Sequence, residues 1–230
     1  MSIKVGITMR VVNADNYIEP RDAISHDWID FFYDNNLEFV LIPNCGQDVI
    51  NFIEVNEVNT IILSNGNDLY DNNSKEIQKN ISEKRDLTEK FIFKWVQKNN
   101  VNCLGVCRGL QLINLIYGGR LNYNLNEKHV GKNHLVNICD PISQNYFNES
   151  SFIVNSYHNQ GIHKNNLAER LTPFAISDDE IIEGFYDKSK NFLAIQWHPE
   201  RKLEGNDFNN KMPVDFLING PWWLSKDYNN

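Results

Sequence analysis

The feature that most constrains the fold is an apolar segment that ends in a Gly-x-Cys-x-Gly turn and continues into a helical pattern. Residues Val101 to Val106 are typical of a buried strand, and apolar residues recur at helical spacing beyond it as far as Tyr117. Gly105-Val106-Cys107-Arg108-Gly109 lies at the junction. A sharp turn between a strand and a helix holds its middle residue in a strained, exposed position at the edge of a sheet. The pattern therefore predicts a nucleophile at Cys107.

The residues around this cysteine fit that role. Side chains at Gly105 and Gly109 would collide with the neighbouring strand and helix. The dipole and the unpaired N–H groups of the helix N-terminus favour a thiolate, and the N–H of Arg108 is a candidate oxyanion donor. A second β-branched strand breaks into the polar loop Ser64–Asp68, where the N–H of Gly66 is the candidate for the second donor.

A base and a carboxylate follow further along the chain, in Gln196-Trp197-His198-Pro199-Glu200. The spacing allows Glu200 to orient His198. Together with Cys107, these residue types indicate a cysteine hydrolase that acts through an acyl-enzyme. Each residue alone also fits a structural role, as a buried thiol, a capped strand end or a solvated charge. The occurrence of all three elements in order favours catalysis.

Three of these segments together resemble the signatures of class I glutamine amidotransferase domains: Leu63–Gly66, Gly105–Gln111 and Gln196–Glu200. Two more, Asn155–Gly161 and Gly6–Arg10, resemble motifs of the γ-glutamyl hydrolase branch of that family. The resemblance runs from about residue 3 to about residue 201. The sequence departs from the family at Asn67-Asp68, where many amidotransferases have Pro-Gly. The detailed shape of the oxyanion hole is therefore expected to differ from the family pattern.

The resemblance implies a Cys-His-Glu triad of Cys107, His198 and Glu200 on an α/β fold. It also implies a γ-glutamyl substrate held by its α-amino and α-carboxylate ends. The substrate-binding residues that it implies are Gln111, Tyr157, His158 and Asn159. His158 fits equally well as a hydrogen-bonded structural histidine.

The alternation of apolar strands and amphipathic helices predicts an α/β fold of three layers, with a mostly parallel central sheet and helices on both faces. Helical spacing of Leu87, Phe91 and Trp95 predicts a helix before the strand that leads to Cys107. Asn and Asp residues between Asp68 and Ser82 predict a surface excursion. With 230 residues and 41% hydrophobic content, a single domain over residues 1–230 is expected.

Charge and hydropathy exclude some classes of binding partner and predict the cellular location. A net charge of −8 without a long basic stripe argues against nucleic-acid binding. The sequence shows neither an apolar run of about twenty residues nor a signal peptide, which predicts a soluble cytoplasmic protein without a membrane partner.

Cys103 and Cys107 are spaced as C-x₃-C, but no further ligands lie nearby, so no metal is expected. Cys45, Cys103 and Cys139 are expected to be buried or inert. The reaction requires no cofactor.

Three functions remain to be compared. The first is a free-standing hydrolase that releases glutamate from a γ-glutamyl compound, without an obligate protein partner. The second is a glutaminase subunit that passes ammonia to a synthetase, and the third is a binding module without turnover. Within the hydrolase branch, the whole chain resembles members that act on a nucleotide-linked γ-glutamyl amidate in capsule modification. Cationic candidates for the phosphates of such a leaving group are Lys128, His129, Lys132, Arg201 and Lys202.

Overall fold

The computed structural model describes residues 2–70, 80–125, 129–203 and 208–225. The strands in these ranges are β1 (Lys4–Thr8), β2 (Arg10–Asn13), β3 (Pro20–Ala23), β4 (Glu38–Ile42), β5 (Thr60–Leu63), β6 (Asn102–Val106), β7 (His134–Ile138), β8 (Ser151–Val154), β9 (Thr172–Ser177), β10 (Ile182–Tyr186) and β11 (Phe192–Ile195). The helices are α1 (His26–Asp34), α2 (Val49–Val55), α3 (Glu83–Asn99), α4 (Arg108–Ile116), α5 (Pro141–Phe147) and α6 (Phe208–Asn219).

Within the described ranges, nine of these strands form one sheet in the order β4-β1-β5-β6-β11-β10-β9-β7-β8. The strands from β4 to β11 in this order are parallel to one another, whereas β10, β9, β7 and β8 are joined by antiparallel pairings. β2 and β3 pair separately as a hairpin. The α/β class and the mostly parallel central sheet are confirmed, and an antiparallel extension is added at one side.

Two hydrophobic clusters cover the two faces of the sheet. Alternating residues of the same strand enter different clusters: Leu104 of β6 packs with Trp28 of α1, and Cys103 packs with Phe93 of α3 and Ile113 of α4. This period-two division is what a fully buried strand requires. Because the parallel strands run in one direction, their carboxyl ends meet at one edge of the sheet. Among the described helices, none combines the length and the hydropathy that a bilayer crossing requires.

The predicted helix over Leu87, Phe91 and Trp95 is confirmed as α3. Its three marker residues are not its most buried ones, since Leu87 is 50% exposed. The most deeply buried face of α3 includes charged residues, Arg85 and Glu89 among them.

Candidate active site

Cys107 occupies the turn between β6 and α4 in a strained backbone conformation. It is the N-cap of α4, with φ 51° and ψ −96°, and its side chain is partly exposed. A positive φ at a residue with a side chain costs on the order of 1–3 kcal/mol and persists only where the surrounding structure enforces it. The predicted turn at the edge of the sheet is confirmed.

Close packing explains the two glycines of this turn. A Cβ atom on Gly109 would overlap the carbonyl oxygen of Leu63 at the end of β5, and a Cβ on Gly105 would lie 2.9 Å from the carbonyl carbon of Gly109. β5 and α4 can therefore approach each other only where no side chain intervenes. This approach brings the loop after β5 beside Cys107.

His198 and Glu200 form a buried pair after β11, the strand beside β6. The Nδ1 atom of His198 lies 2.8 Å from Oε1 of Glu200. Asn155 fixes the histidine backbone from both sides, because its Oδ1 accepts from the His198 N–H at 2.9 Å and its Nδ2 donates to the His198 carbonyl at 2.8 Å. Sequence reasoning placed Asn155 in a family motif but did not identify this role.

Asn65 is a further member of this arrangement that sequence reasoning missed. Its Oδ1 accepts from Trp28 Nε1 at 3.1 Å, which fixes the orientation of the amide. Its Nδ2 then lies 3.1 Å from Glu200 Oε1 and 3.0 Å from His198 Nδ1. When Nδ1 carries a proton, Glu200 is the acceptor for both donors, so Asn65 helps to hold the carboxylate.

The environment of His198 favours its protonated form. Burial opposes the charge, but the negative charge of Glu200 and the interactions of the ring with Cys107 and Glu200 outweigh it and raise the pKa of His198 to about 10. Since Nδ1 faces Glu200, the other ring nitrogen is the one available to Cys107. The geometry therefore suits an imidazolium beside a thiolate.

The two candidate oxyanion donors lie together at a cavity of about 400 Å³, which Gly66, Cys107 and Arg108 all line. Gly66 has φ +114°, and a Cβ atom there would lie 2.8 Å from Cβ of Arg10. Only glycine fits this conformation and this space. The N–H groups of Gly66 and Arg108 remain candidates for the oxyanion hole, and both residues line the cavity together with Cys107.

A buried cluster of four charges lies beneath these donors, and sequence reasoning did not find it. The Arg108 side chain forms ion pairs with Asp86 and Glu89 of α3. Arg85 Nε donates to Glu89 Oε1 at 2.9 Å. All four side chains are at most 7% exposed. Arg108 is thus available to a substrate only through its backbone N–H.

Arg85 connects this cluster to the loop that contains Gly66. It donates to the carbonyl oxygens of Ser64 at 2.8 Å and Asn65 at 3.0 Å, and to Oδ1 of Asn67 at 3.1 Å. Asn67 also accepts from the N–H of Val11 at 2.8 Å. The departure from the family pattern at Asn67 therefore supplies a side chain that fixes the loop to its neighbours.

The charges in this cluster stabilise one another. Burial and repulsion from Arg108 lower the pKa of Arg85 to about 10, which leaves it charged at neutral pH. Burial alone would raise the pKa of Glu89, but Arg108 and Arg85 lower it. An i,i+4 pair of Arg and Glu on a helix usually lies in solvent. The sequence pattern therefore gave no signal of its burial.

The predicted substrate-binding residues all line the cavity, but they differ in what their side chains do. Gln111 Nε2 donates to the carbonyl of Gln160 at 2.9 Å, which holds the opposite wall. Tyr157 is 49% exposed, and its ring lies edge-on to that of His198, with centroids 5.6 Å apart. Asn159 is exposed. His158 is 4% exposed and its Nδ1 contacts the Gln160 carbonyl at 3.0 Å.

Asp68 is the one acidic residue among the described residues that line this cavity. Its Oδ1 accepts from Gln160 Nε2 at 3.1 Å, which joins the two walls. Sequence reasoning did not single it out as a binding residue. A carboxylate in an otherwise amide-rich wall is suited to an ammonium group.

The proposed phosphate-binding cations are placed very differently. The Arg201 guanidinium lies 4.1 Å from the centre of the Tyr157 ring, beside the cavity. Lys202 is paired with Asp34 at 2.8 Å, and Lys132 is exposed. His129 is 1% exposed and is not among the cavity-lining residues, which removes it from this role. Lys128 lies outside the described residues.

The other cysteines are less suited to nucleophilic chemistry than Cys107. Burial raises the pKa of Cys103, and burial is also the largest cause that raises the pKa of Cys45 and of Cys139. Cys139 is exposed, so it is not a buried thiol. Its raised pKa still fits the expectation that it is inert.

Comparison with known proteins agrees with this geometry. The Peptidase C26 family model matches residues 5–200, so the chain belongs to the Peptidase C26 family, which is class I glutamine amidotransferase-like. The chain is 32% identical to a gamma-glutamyl-CDP-amidate hydrolase of Campylobacter jejuni over 90% of this chain and 92% of that protein. Family and relative together indicate a γ-glutamyl amide hydrolase or amidotransferase-like enzyme.

Two further likenesses extend the comparison. The chain is 29% identical to a glutamine-hydrolyzing GMP synthase subunit of Thermoplasma volcanium, over 60% of this chain and 65% of that protein. Its fold matches the crystallised glutaminase domain of Trypanosoma brucei CTPS with a TM-score of 0.67 at 13% identity, over 95% of this chain and 94% of that one. The second likeness concerns the fold alone.

Proposed function

We propose that this chain is a cysteine hydrolase that cleaves a γ-glutamyl C–N bond through a γ-glutamyl thioester on Cys107. The observation that carries the proposal is that Cys107 and the backbone at Gly66 line one cavity, while the His198–Glu200 pair lies beside Cys107. Strain at the nucleophile, a buried base with its orienting carboxylate and fixed backbone donors are the parts that acyl transfer needs.

The reaction follows from these positions. The Cys107 thiolate, paired with protonated His198, attacks the γ-carbonyl carbon of the substrate. The N–H groups of Gly66 and Arg108 stabilise the oxyanion, and His198 gives its proton to the departing nitrogen. His198 then takes a proton from water, which attacks the thioester and releases glutamate with Cys107 free again. Glu200 and Asn65 hold the imidazole throughout.

The glutamyl part of the substrate is recognised by one charged group and by hydrogen bonds. Asp68 is placed to bind the α-ammonium group, and Asn159 supplies amide hydrogen bonds to the α-carboxylate. Gln111 and His158 act mainly by positioning the wall that carries these contacts, because their amide and ring nitrogens bind protein atoms. Tyr157 covers His198 and limits the cavity on the side of the leaving group.

The leaving group is proposed to be a nucleotide-linked amidate, so that the products are glutamate and cytidine diphosphoramidate in capsule modification. The support is the name of the C. jejuni relative, together with Arg201 beside Tyr157 at the cavity. A guanidinium that lies flat on an aromatic ring keeps its N–H donors directed to a phosphate at its edge.

A glutaminase subunit is the second candidate, and the relationship to a GMP synthase component favours it. It would use the same thioester but would require a synthetase partner to consume ammonia. A binding module without turnover is the weakest candidate, because each proposed catalytic position carries a competent residue.

We propose a single domain over residues 1–230 that acts in the cytoplasm, where its thiol stays reduced, without nucleic acid or an obligate protein partner.

A substrate panel tests the proposal. The purified chain is incubated with glutamine, γ-glutamyl amines, γ-glutamyl peptides and a γ-glutamyl nucleotide amidate, and glutamate release is measured. The largest kcat/KM is expected for the nucleotide amidate. Arg201→Ala should raise KM for that substrate about fivefold and leave the small amides unchanged, given a charge-assisted contact at a partly exposed site. Efficient glutamine turnover only with an added synthetase would favour the second candidate.

A further inference from the structure

A second cluster of ionisable side chains lies behind the cavity wall, at the antiparallel side of the sheet. Three histidines surround one carboxylate, that of Glu183 on β10. Glu183 Oε1 lies 3.2 Å from Nε2 of His134, 3.6 Å from Nε2 of His158 and 3.7 Å from Nδ1 of His129. Glu183 is completely buried, and His129 and His158 are 1% and 4% exposed.

Within the described part of the chain, the atoms that face one another in this cluster have no hydrogen-bond partner outside it. Both oxygens of Glu183 are buried without a hydrogen bond to any described residue. The same holds for Nδ1 of His129, Nε2 of His134 and Nε2 of His158. Buried polar atoms are nearly always satisfied, so five convergent exceptions point to a missing ligand.

The outward atoms of two of these rings are held by acceptors. His129 Nε2 lies 3.0 Å from Asp179 Oδ2, and His158 Nδ1 lies 3.0 Å from the carbonyl oxygen of Gln160. An acceptor at the outer nitrogen places the proton there and leaves the inner nitrogen with its lone pair. This arrangement of carboxylate or carbonyl behind a histidine is the usual support of a metal-binding imidazole.

The positions of the facing atoms also suit a cation. With protons on the outer nitrogens, the inner nitrogens direct lone pairs toward the Glu183 oxygens. A metal ion at the centre would turn these contacts into bonds.

We propose that His129, His134 and Glu183 bind a divalent transition-metal ion, with Zn²⁺ as the fitting representative. Imidazole and carboxylate suit Zn²⁺ at about 2.0–2.1 Å, which separates tetrahedral ligand atoms by about 3.3 Å. The distances of 3.2 Å and 3.7 Å from Glu183 Oε1 to His134 and His129 agree with this spacing. The ligand atoms of the three residues lie within 4.8 Å of one another. His158 borders the site, with its Nε2 3.6 Å from Glu183 Oε1.

The position of the site gives the metal a structural role. It joins His134 on β7 and Glu183 on β10 to His129, whose carbonyl oxygen accepts from the His158 N–H at 3.0 Å. His158 belongs to the segment that lines the cavity, so the ion would fix that wall without contacting the reacting atoms. The proposal departs from the expectation of no metal, because the three ligands are dispersed along the chain and only the tertiary structure brings them together. It does not depend on the proposed function.

Metal binding to the intact chain tests the proposal directly. The chain is treated with a chelator, equilibrated with Zn²⁺ alone and freed of excess ion, and its zinc content and Tm are measured. We expect one Zn²⁺ per chain and a Tm that rises with Zn²⁺ concentration. Cys107→Ala should bind the same amount, which separates this site from the reactive thiol. His163→Ala, at a histidine paired with exposed Glu180, is the matched control and should also bind one ion.

His134→Ala and Glu183→Gln should each lose the bound zinc and the Zn²⁺-dependent rise in Tm. If these variants do not fold, Co²⁺ added to the unmutated chain decides, because four-coordinate Co²⁺ absorbs visible light much more strongly than six-coordinate Co²⁺. Folded, unmutated chain that binds no Zn²⁺ and gives no such Co²⁺ spectrum would overturn the proposal, and protons would then balance Glu183. Retention of zinc by folded His134→Ala and Glu183→Gln would overturn it equally.

Discussion

Two buried charged clusters support the two sides of the cavity, and they balance their charges in different ways. Beneath the parallel side, Arg85 and Arg108 face Asp86 and Glu89, so two positive groups meet two negative groups. Beneath the antiparallel side, Glu183 is surrounded by imidazoles, and its oxygens lack hydrogen bonds to the described residues. The first cluster is complete from side chains alone, whereas the second needs a proton or a metal ion.

This difference suits the work that each side does. The parallel side fixes Gly66 and Arg108 against Cys107, and donors that stabilise a developing charge must be held in place before the reaction. The antiparallel side carries Tyr157 and Asn159, which contact the substrate in our proposal. Changes that move Gly66 or Arg108 should therefore affect turnover of every substrate, and changes to side chains that contact the substrate should affect binding.

The largest effect is expected at the reacting atoms. Cys107→Ala should lower kcat about 10,000-fold or more, and His198→Asn should cost nearly as much, because the members of a triad act as a unit. Glu200→Gln should cost less, since it keeps part of the geometry. Steady-state glutamate release from several γ-glutamyl substrates measures this. Cys139→Ser, at an exposed cysteine, is the control and should be fully active. A substrate that Cys107→Ala still hydrolyses at the normal rate would contradict the assignment.

The next largest effect is expected from opening the balanced cluster. Glu89→Gln leaves two buried guanidinium groups with one carboxylate, and loss of one partner from a buried pair costs about 3–5 kcal/mol. Denaturant unfolding measures the change in the free energy of unfolding. Glu180→Gln, in the exposed pair with Lys164, is the matched control and should leave the free energy of unfolding almost unchanged. Similar losses in the two variants would show that the cluster under the oxyanion loop contributes no more than a surface pair.

Sequence patterns predict the catalytic loops of the cavity but not the two buried clusters that support it. The turn at Cys107, the His198–Glu200 pair and the loops that carry the chemistry follow from local patterns, because glycine spacing and apolar runs have direct geometric causes. The burial of Arg85 and Glu89 could not be predicted, since an i,i+4 ion pair has the same pattern in solvent. The four members of the histidine cluster come from separate strands and loops, so only the tertiary structure shows that they meet.

A smaller effect is expected from titration of the unbalanced cluster. The pKa of Glu183 is about 2 in the folded chain against 4.5 ordinarily, so its stabilising contribution is present above about pH 4.5 and is lost as the pH falls toward 2. The Tm of the metal-free chain should fall over this range, and in Glu183→Gln that part of the fall should be absent. Identical pH profiles of Tm for the two chains would show that Glu183 is not held in its charged form.

The smallest effect is expected at the substrate-facing carboxylate. Asp68→Asn should raise KM for γ-glutamyl substrates about tenfold or somewhat more with little change in kcat, because one charge-assisted hydrogen bond to the α-ammonium is weakened. Initial rates over a range of substrate concentrations separate the two constants. Asp30→Asn, at an exposed position on α1, should leave both constants unchanged. An unaltered KM in Asp68→Asn would assign the α-ammonium to another group.

Hydrolysis through a thioester requires a covalent γ-glutamyl intermediate on Cys107, and that intermediate can be trapped. The chain is mixed with the γ-glutamyl substrate that it turns over fastest, quenched in acid within the first turnovers and analysed by peptide mass spectrometry. The peptide containing Cys107 should gain the mass of one glutamyl residue, the label should disappear as substrate is exhausted, and Cys107→Ala should show none. Turnover without any such adduct, or a glutamyl group on Cys45, Cys103 or Cys139 in its place, would contradict it.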